Sequence, residues 1–268
     1  MRIAMLTNNY KPFVGGVPIS VERLAKGLRD LGQEVYIFAP SYEKEVEEEY
    51  VIRYESRKRK LNEEFVIPKL FSREIERRFC KLNFDLIHVH HPIISGYIGC
   101  YLGRKYNIPV VFTHHTRYEQ YLHYFKLYHK WIEKTDCELE TSNEKKERMK
   151  RAVENFVIYH NKVFTNHCDL ILAPTPGIKE FLHKNGTIKE IQVLPTGLDS
   201  KDFAYCEPEV SKIRNKYKDK GQKLFCTVSR LEEEKNINFL LDGMKIYKDR
   251  NGGNFRLLII GDGRQKNN

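Results

Sequence analysis

The run Leu224-Phe225-Cys226-Thr227-Val228-Ser229-Arg230-Leu231-Glu232-Glu233-Glu234-Lys235-Asn236 decides the fold. Leu224 to Val228 is a short apolar stretch bounded by polar residues, which reads as a buried parallel strand. Ile237, Leu240, Leu241 and Met244 then recur at helical spacing, so a helix follows with Asn236 as its N-cap. Arg230 and Lys235 therefore lie between a strand end and a helix start, where an open α/β sheet binds ligands. A helix N-terminus favours an anion. Two added cations suit a diphosphate better than a single carboxylate. Ordinary solvated charges at a helix start are the bland reading, and so short a motif does not exclude it by itself.

Outward from this stretch, strand and helix alternate. Strands are expected over Arg2–Thr7, Glu34–Ala39, Val51–Tyr54, Leu86–Val89, Pro109–Thr113, Leu170–Ala173 and Ile191–Leu194. Helices are expected over Ile19–Leu31, stopped by Gly32, and over Gly96–Tyr106 and Gly177–Lys184. The succession predicts an α/β fold with a doubly wound parallel sheet. Acidic Glu43–Glu49 and basic Arg57–Lys60 interrupt it as solvated loops or an exposed hairpin. A long polar segment from Tyr128 to Asn166 is expected to contain a long helix. Near Pro195 the organisation resets with a turn, a polar helix over Glu209–Tyr217, the Leu224 strand, its helix and a strand over Phe255–Ile260. Two domains follow: 1–196, a complete Rossmann-like sheet, and 197–268, the first β-α-β of a second.

With 268 residues the chain can bury one large core or two modest ones. A net charge of +10 suits a phosphate-bearing ligand, nucleic acid or an anionic membrane surface. No nucleic-acid motif accompanies the charge, so nucleic acid is not expected as a partner. No apolar run is long enough to span a bilayer, and Ile3-Ala4-Met5-Leu6 is too short for a signal-peptide core. Six scattered cysteines without a CxxC pair argue against zinc ribbons and disulfide frameworks, and for a reducing cytosol.

Three further stretches could carry chemistry. In the loop from Asn8 to Val17, Gly15 and Gly16 would let backbone come close to a ligand ahead of a helix start. It is not the GxGxxG fingerprint, and the second strand ends in Ala39-Pro40 without an acidic ribose ligand, so a nicotinamide dehydrogenase is disfavoured. His88, His90 and His91 end one strand, and His114 and His115 end the next. On a strand His88 and His90 share a face while His91 points away. No metal is expected, because adjacent strand histidines cannot both face one ion and Glu119 is the nearest carboxylate. His88 and His114 read equally as satisfied, partly buried side chains. Finally, Tyr118, Tyr121 and Tyr124 could line an acceptor groove at a membrane surface, or form an aromatic minicore under a long loop.

Taken in chain order, these stretches resemble the GT-B glycosyltransferases of the family-4 type. Ser229-Arg230-Leu231 with Lys235-Asn236 is similar to the family's donor-diphosphate motif, and Pro12 to Val17 to its Pro-x-x-Gly-Gly-Val loop. His88-Val89-His90-His91-Pro92, Phe112-Thr113-His114-His115-Thr116 and Gly261-Asp262-Gly263 resemble three further family elements. The segment from Thr116 to Tyr124 is similar to the diacylglycerol glucosyltransferase branch. The resemblance implies a retaining hexosyltransferase that needs no metal or cofactor and uses a nucleotide-sugar, UDP-glucose, as donor. It implies Arg230, Lys235, Gly15 and Gly16 on the donor, and His115 beside the transferring sugar. Glu119 is a candidate base, and Tyr118, Tyr121 and His90 are acceptor contacts. The acceptor is a lipid such as diacylglycerol, or a carbohydrate or small molecule, with an anionic membrane surface as a further partner. The expected place is the cytoplasm, peripheral on the inner membrane face. The family's Glu-x7-Glu motif is absent, so the chain alone is expected to be an inactive fragment. A non-catalytic binding or regulatory protein is the alternative.

Overall fold

The computed structural model describes residues 1–43, 47–60, 66–68, 73–119 and 142–267; of 57–60, 66–68, 73, 142–146 and 267 it describes the backbone alone. The chain divides into two compact units, Met1–Leu198 and Asp199–Asn268.

The first unit is built on a seven-stranded sheet. Its strands are β1 (Arg2–Leu6), β2 (Glu34–Pro40), β3 (Val51–Tyr54), β6 (Leu86–Val89), β7 (Val110–Thr113), β8 (Leu170–Ala173) and β9 (Ile191–Val193). Every pairing is parallel, in the order β3-β2-β1-β6-β7-β8-β9. β4 (Ser56–Lys60) and β5 (Val66–Pro68) form the expected antiparallel hairpin apart from it.

Side-chain alternation builds two cores, one on each face. Ile3 and Met5 of β1 and Val35 and Ile37 of β2 pack with Val21 and Ala25 of α1 (Gly16–Asp30). Ala4, Leu6 and Phe38 point to the other face, with Phe79, Phe84, Ile87, Val89 and Phe112. Each of the fully buried Val, Leu, Ile, Met and Phe side chains contributes about 1.5–3 kcal/mol by leaving water. A sheet covered on both faces has mostly apolar central strands, as β1, β7 and β8 are here.

The helix α2 (Arg73–Leu82) was not expected from the sequence. Six of its ten residues are charged, and only Ile75 and Phe79 carry its buried face. α3 (Ser95–Tyr106) lies very close to the sheet along Gly96, Gly99 and Gly103. A Cβ on Gly99 would sit 2.3 Å from Val89 Cγ1, and one on Gly103 2.5 Å from Val110 Cγ2. α4 (Ser142–Thr165) is the expected long helix, and α5 (Pro176–Lys184) follows β8, capped by the Thr175 hydroxyl accepting from the Ile178 N–H.

The second unit holds α6 (Glu207–Tyr217), β10 (Lys223–Val228), α7 (Ile237–Asn251) and β11 (Phe255–Ile260). β10 and β11 pair in parallel over six residues. One expectation needs correcting: β10 is not buried, and Val228 is 73 % exposed. Two strands and the helix between them cannot cover both faces of a sheet. The fold class is α/β, as the sequence indicates, and the strand order of the first unit reverses between β1 and β6, where such sheets bind ligands.

Candidate functional site

The reversal point brings the Asn8 loop and the strand end after β6 together. Asn8 donates from its amide to the Ile93 carbonyl at 2.8 Å and accepts from the Ser95 N–H at 3.0 Å. Its own N–H donates to His91 Nδ1 at 3.2 Å. The Tyr54 hydroxyl donates to the Thr7 carbonyl at 2.8 Å, which pins the loop from below. Lys11 bonds Glu22 of α1. Gly15 is the N-cap of α1 in extended backbone, which any residue adopts. A Cβ there would crowd the Phe13 ring, 2.9 Å from its Cε1, and touch Pro18 Cδ at 3.7 Å, whereas one on Gly16 would meet nothing within 4 Å. The fold itself therefore gives no reason for glycine at position 16. The space above it is open to a ligand at a helix start.

Behind this loop the histidines sort as the strand period dictates. His88 and His90 lie on one face with ring centroids 4.3 Å apart, and His91 turns back to the Asn8 loop. His88 shares a hydrogen bond with the Thr113 hydroxyl at 2.7 Å, across the β6–β7 pairing. His90 Nδ1 lies 2.9 Å from His115 Nε2. His114 turns to the other side, with Nδ1 3.5 Å from the Asn161 side-chain nitrogen of α4. Burial is the main reason that all five stay neutral. It pulls His88 and His91 down to about 3 and His114 and His115 to about 4, from an ordinary 6.5. His90 is pulled well below that value, first by burial and then by its histidine neighbours.

His90 is fully buried, so in this structure it touches His115 rather than presenting a surface to an acceptor. Glu119 is buried too and accepts from Arg117 Nε at 2.6 Å, while the Arg117 guanidinium lies 4.3 Å from the centre of the Phe181 ring. Tyr118 also turns inward. Its hydroxyl is enclosed with no hydrogen-bond partner among the described residues, and its ring meets His114 edge-on. Tyr121 and Tyr124 lie outside the described residues. Among the described residues no group of three or more His, Cys, Asp or Glu is placed to hold a metal ion.

In the second unit, β10 and α7 frame a cleft of about 420 Å³ lined by Ser229, Lys235, Asn236, Phe239, Leu240 and Met244, among others. Lys235 ends a short 3-10 turn, and Asn236 caps α7 from a left-handed backbone, its side chain accepting from the Phe239 N–H at 3.4 Å. The Ser229 hydroxyl is enclosed beside this cleft without a partner. Arg230 pairs with Glu234 of the 3-10 turn, four residues on, at 2.9 Å. The Gly261-Asp262-Gly263 turn does more than end β11. The Leu231 N–H donates to the Asp262 carbonyl at 2.8 Å, and Cβ atoms on Gly261 and Gly263 would fall 1.8 Å and 2.3 Å from the Ser229 and Leu231 carbonyl oxygens. The turn thus clamps the loop that carries Arg230.

Sequence reading missed three parts of these sites: Glu234 as the partner of Arg230, Asn8 as the tie between two loops, and Asn161 beside His114. Nearness along the chain and opposite charge were the readable signal for Arg230 and Glu234. The other two join residues more than forty positions apart and had none.

Comparison with known proteins gives a consistent result. The profile of glycosyltransferase family 4 matches residues 14–202, and that of glycosyl transferases group 1 matches residues 209–268. An alpha-monoglucosyldiacylglycerol synthase of Acholeplasma laidlawii is 29% identical over 99% of this chain, which covers 64% of that protein. A synthase of the same name from Streptococcus pneumoniae is 27% identical over 98% of the chain, which covers 56% of it. The chain thus spans less than two thirds of the length of these relatives. Among solved structures, sucrose-phosphate synthase from Thermosynechococcus elongatus has a TM-score of 0.63 at 15% identity, over 97% of this chain and 62% of that one. Anabaena HepE in complex with UDP-glucose has a TM-score of 0.62 at 15% identity, over 98% and 61%. With the family profile over more than half of its residues, the chain belongs to glycosyltransferase family 4.

Proposed function

We propose that the protein transfers glucose from UDP-glucose to a hydroxyl of diacylglycerol, with retention of the anomeric configuration. The observation that carries this reading is the placement of Arg230 and Lys235 at a strand exit, beside an open cleft and a helix start, in a chain aligned almost throughout with two synthases named for a glucosylated diacylglycerol. In this reading Arg230 and Lys235 hold the donor diphosphate and stabilise the charge that grows on it as the glycosidic bond breaks. Binding would draw Arg230 from Glu234 to phosphate, an exchange of one exposed ion pair for a stronger charge-assisted contact. Gly15 and Gly16 admit the phosphates to the start of α1. The acceptor hydroxyl attacks from the face that the diphosphate leaves, and His115 orients the sugar. His90 acts behind His115. Glu119, held by Arg117, is a candidate acceptor contact or base.

A lipid acceptor calls for a surface that meets a bilayer. The outward side of α4 exposes Met149, Phe156, Tyr159 and Val163, with Phe156 67% and Tyr159 61% exposed. Arg148, Lys150, Arg151 and Lys162 stand exposed among them. Aromatic and apolar side chains with basic neighbours suit an anionic membrane surface. No described helix is long and apolar enough to cross a membrane, and a peripheral place on the cytoplasmic face is part of the proposal.

The test uses the protein extended through the length of its relatives, mixed with UDP-glucose and vesicles with or without diacylglycerol. UDP release that depends on diacylglycerol supports the reading. Release that depends instead on a soluble sugar acceptor moves the function to carbohydrate synthesis, and no release with any acceptor overturns it.

A further inference from the structure

The contact between His90 and His115 holds more information than its distance. Both rings are neutral at pH 7, and their facing nitrogens are 2.9 Å apart, so one proton lies between them and each ring carries its single N–H on a definite atom. Two arrangements are open. In the first, His90 Nδ1–H donates to His115 Nε2. His90 Nε2 is then bare, and His115 carries its own proton on Nδ1. In the second, His115 Nε2–H donates to His90 Nδ1. His90 must then keep its proton on Nε2, and His115 Nδ1 is bare.

The surroundings of His90 separate the two. Its Nε2 is enclosed and has no hydrogen-bond partner among the described residues, and the whole side chain is inaccessible. The His88 ring lies 4.3 Å away, tilted by 33°, and accepts no hydrogen bond from that nitrogen. The second arrangement would bury an N–H with no acceptor, a condition that native interiors rarely contain. The first leaves only a lone pair unmatched. His115, by contrast, is partly open to solvent, and its Nδ1 has no hydrogen bond to a described residue.

We propose that His90 is a positioning residue which donates to His115 and fixes its proton on Nδ1, so that His115 meets its ligand as a hydrogen-bond donor and not as a base. The step is one of orientation, with no net proton transfer. It makes the ligand group opposite His115 an acceptor, such as a sugar hydroxyl oxygen or a phosphate oxygen. His88, held by Thr113 and lying beside His90, keeps the pair in register. The inference rests on the proposed function only for the nature of that ligand; the place of the proton does not depend on it.

Long-range nitrogen–proton correlation spectra of the chain with labelled histidines test this directly. At pH 7 His115 and His90 should both show a protonated Nδ1 and a bare Nε2. A protonated Nε2 on His115, or a charged ring on either, overturns the proposal whatever the enzyme does. Two variants of the extended protein give an independent arm. His90→Asn keeps an N–H where Nδ1–H stood, whereas His90→Leu removes it. The Leu variant should lose about tenfold in kcat, the scale of one hydrogen bond, with KM for UDP-glucose little changed, and Asn should restore most of the loss. Equal loss in both variants, with unchanged His115 spectra, would give His90 a purely structural part and overturn the proposal. The wild-type spectrum decides the proton's position even if the Leu variant does not fold.

Discussion

Gly16 offers a substitution whose effects on stability and on function should part company. It is the first residue of α1, its φ lies outside the left-handed region, and an added Cβ would meet nothing within 4 Å. Gly16→Ala therefore introduces neither backbone strain nor a clash, and alanine is the better helix former. At a helix end the gain falls short of the ~1 kcal/mol of a helix interior, so the unfolding free energy should stay the same or rise by about 0.5 kcal/mol. If donor phosphate approaches the backbone at this point, the new methyl group holds it off and weakens at least one charge-assisted N–H contact. Such contacts are worth about 1.5–3 kcal/mol, so transfer should fall by roughly ten- to a hundredfold. Chemical denaturation of wild type and variant gives the first quantity. Initial rates at subsaturating UDP-glucose, in the protein extended to the length of its relatives, give the second. Full activity in Gly16→Ala would show that no ligand approaches there. A loss of more than about 1 kcal/mol in stability would show that the open space above the loop is wrong, since nothing in the fold accounts for such a cost.

Three further outcomes are expected. Arg230→Ala and Lys235→Ala should each lower kcat/KM about tenfold or more without moving the melting temperature, because neither side chain supports the core, whereas Glu234→Gln, which removes the partner of Arg230 at 2.9 Å, should tighten UDP binding; a melting temperature that collapses with activity would contradict this. Gly99→Ala should destabilise the first unit by about 1–2 kcal/mol, since overpacking against Val89 at 2.3 Å exceeds the gain in helix propensity, while Gly27→Ala, with open space around it, should stabilise by about 0.5–1 kcal/mol; denaturation midpoints that move in the same direction would refute the packing argument. The buried histidines set the acid limit: a histidine whose folded pKa lies below its unfolded 6.5 takes up a proton on unfolding, so stability is fully present above pH 6.5 and lost as pH falls towards the folded values near 3 to 4. Each such group removes up to about 1.4 kcal/mol of stability per pH unit below 6.5, and an unfolding free energy that stays flat from pH 7 to 5 would contradict their neutral burial.

Much of this architecture was legible because its signals are local. Strands such as Leu170–Ala173 are apolar along their length because both sheet faces are covered, and Gly32 and Asn236 mark helix ends through backbone conformations that few residues adopt. Phase was legible too: the two-residue period of a strand put His88 beside His90 and turned His91 away. α2 stayed hidden because its charges mask a buried face of little more than Ile75 and Phe79. Exposure on β10 could not be read from its composition, since an apolar run reports what a strand can bury and not how many neighbours cover it. At the site, residue type is what led to the proposal that Arg230 and Lys235 hold an anion. The inward turn of Tyr118 and the burial of His90 depend on packing across elements, which spacing along the chain does not encode.

The structure of the lipid product tests the central claim most directly. Glucosyl transfer by the extended protein from UDP-glucose to diacylglycerol vesicles should yield one glycolipid, whose anomeric proton coupling identifies the α-linked sugar of the donor. A β-linked product would contradict retention, and label recovered only in water-soluble glucosides would contradict the lipid acceptor.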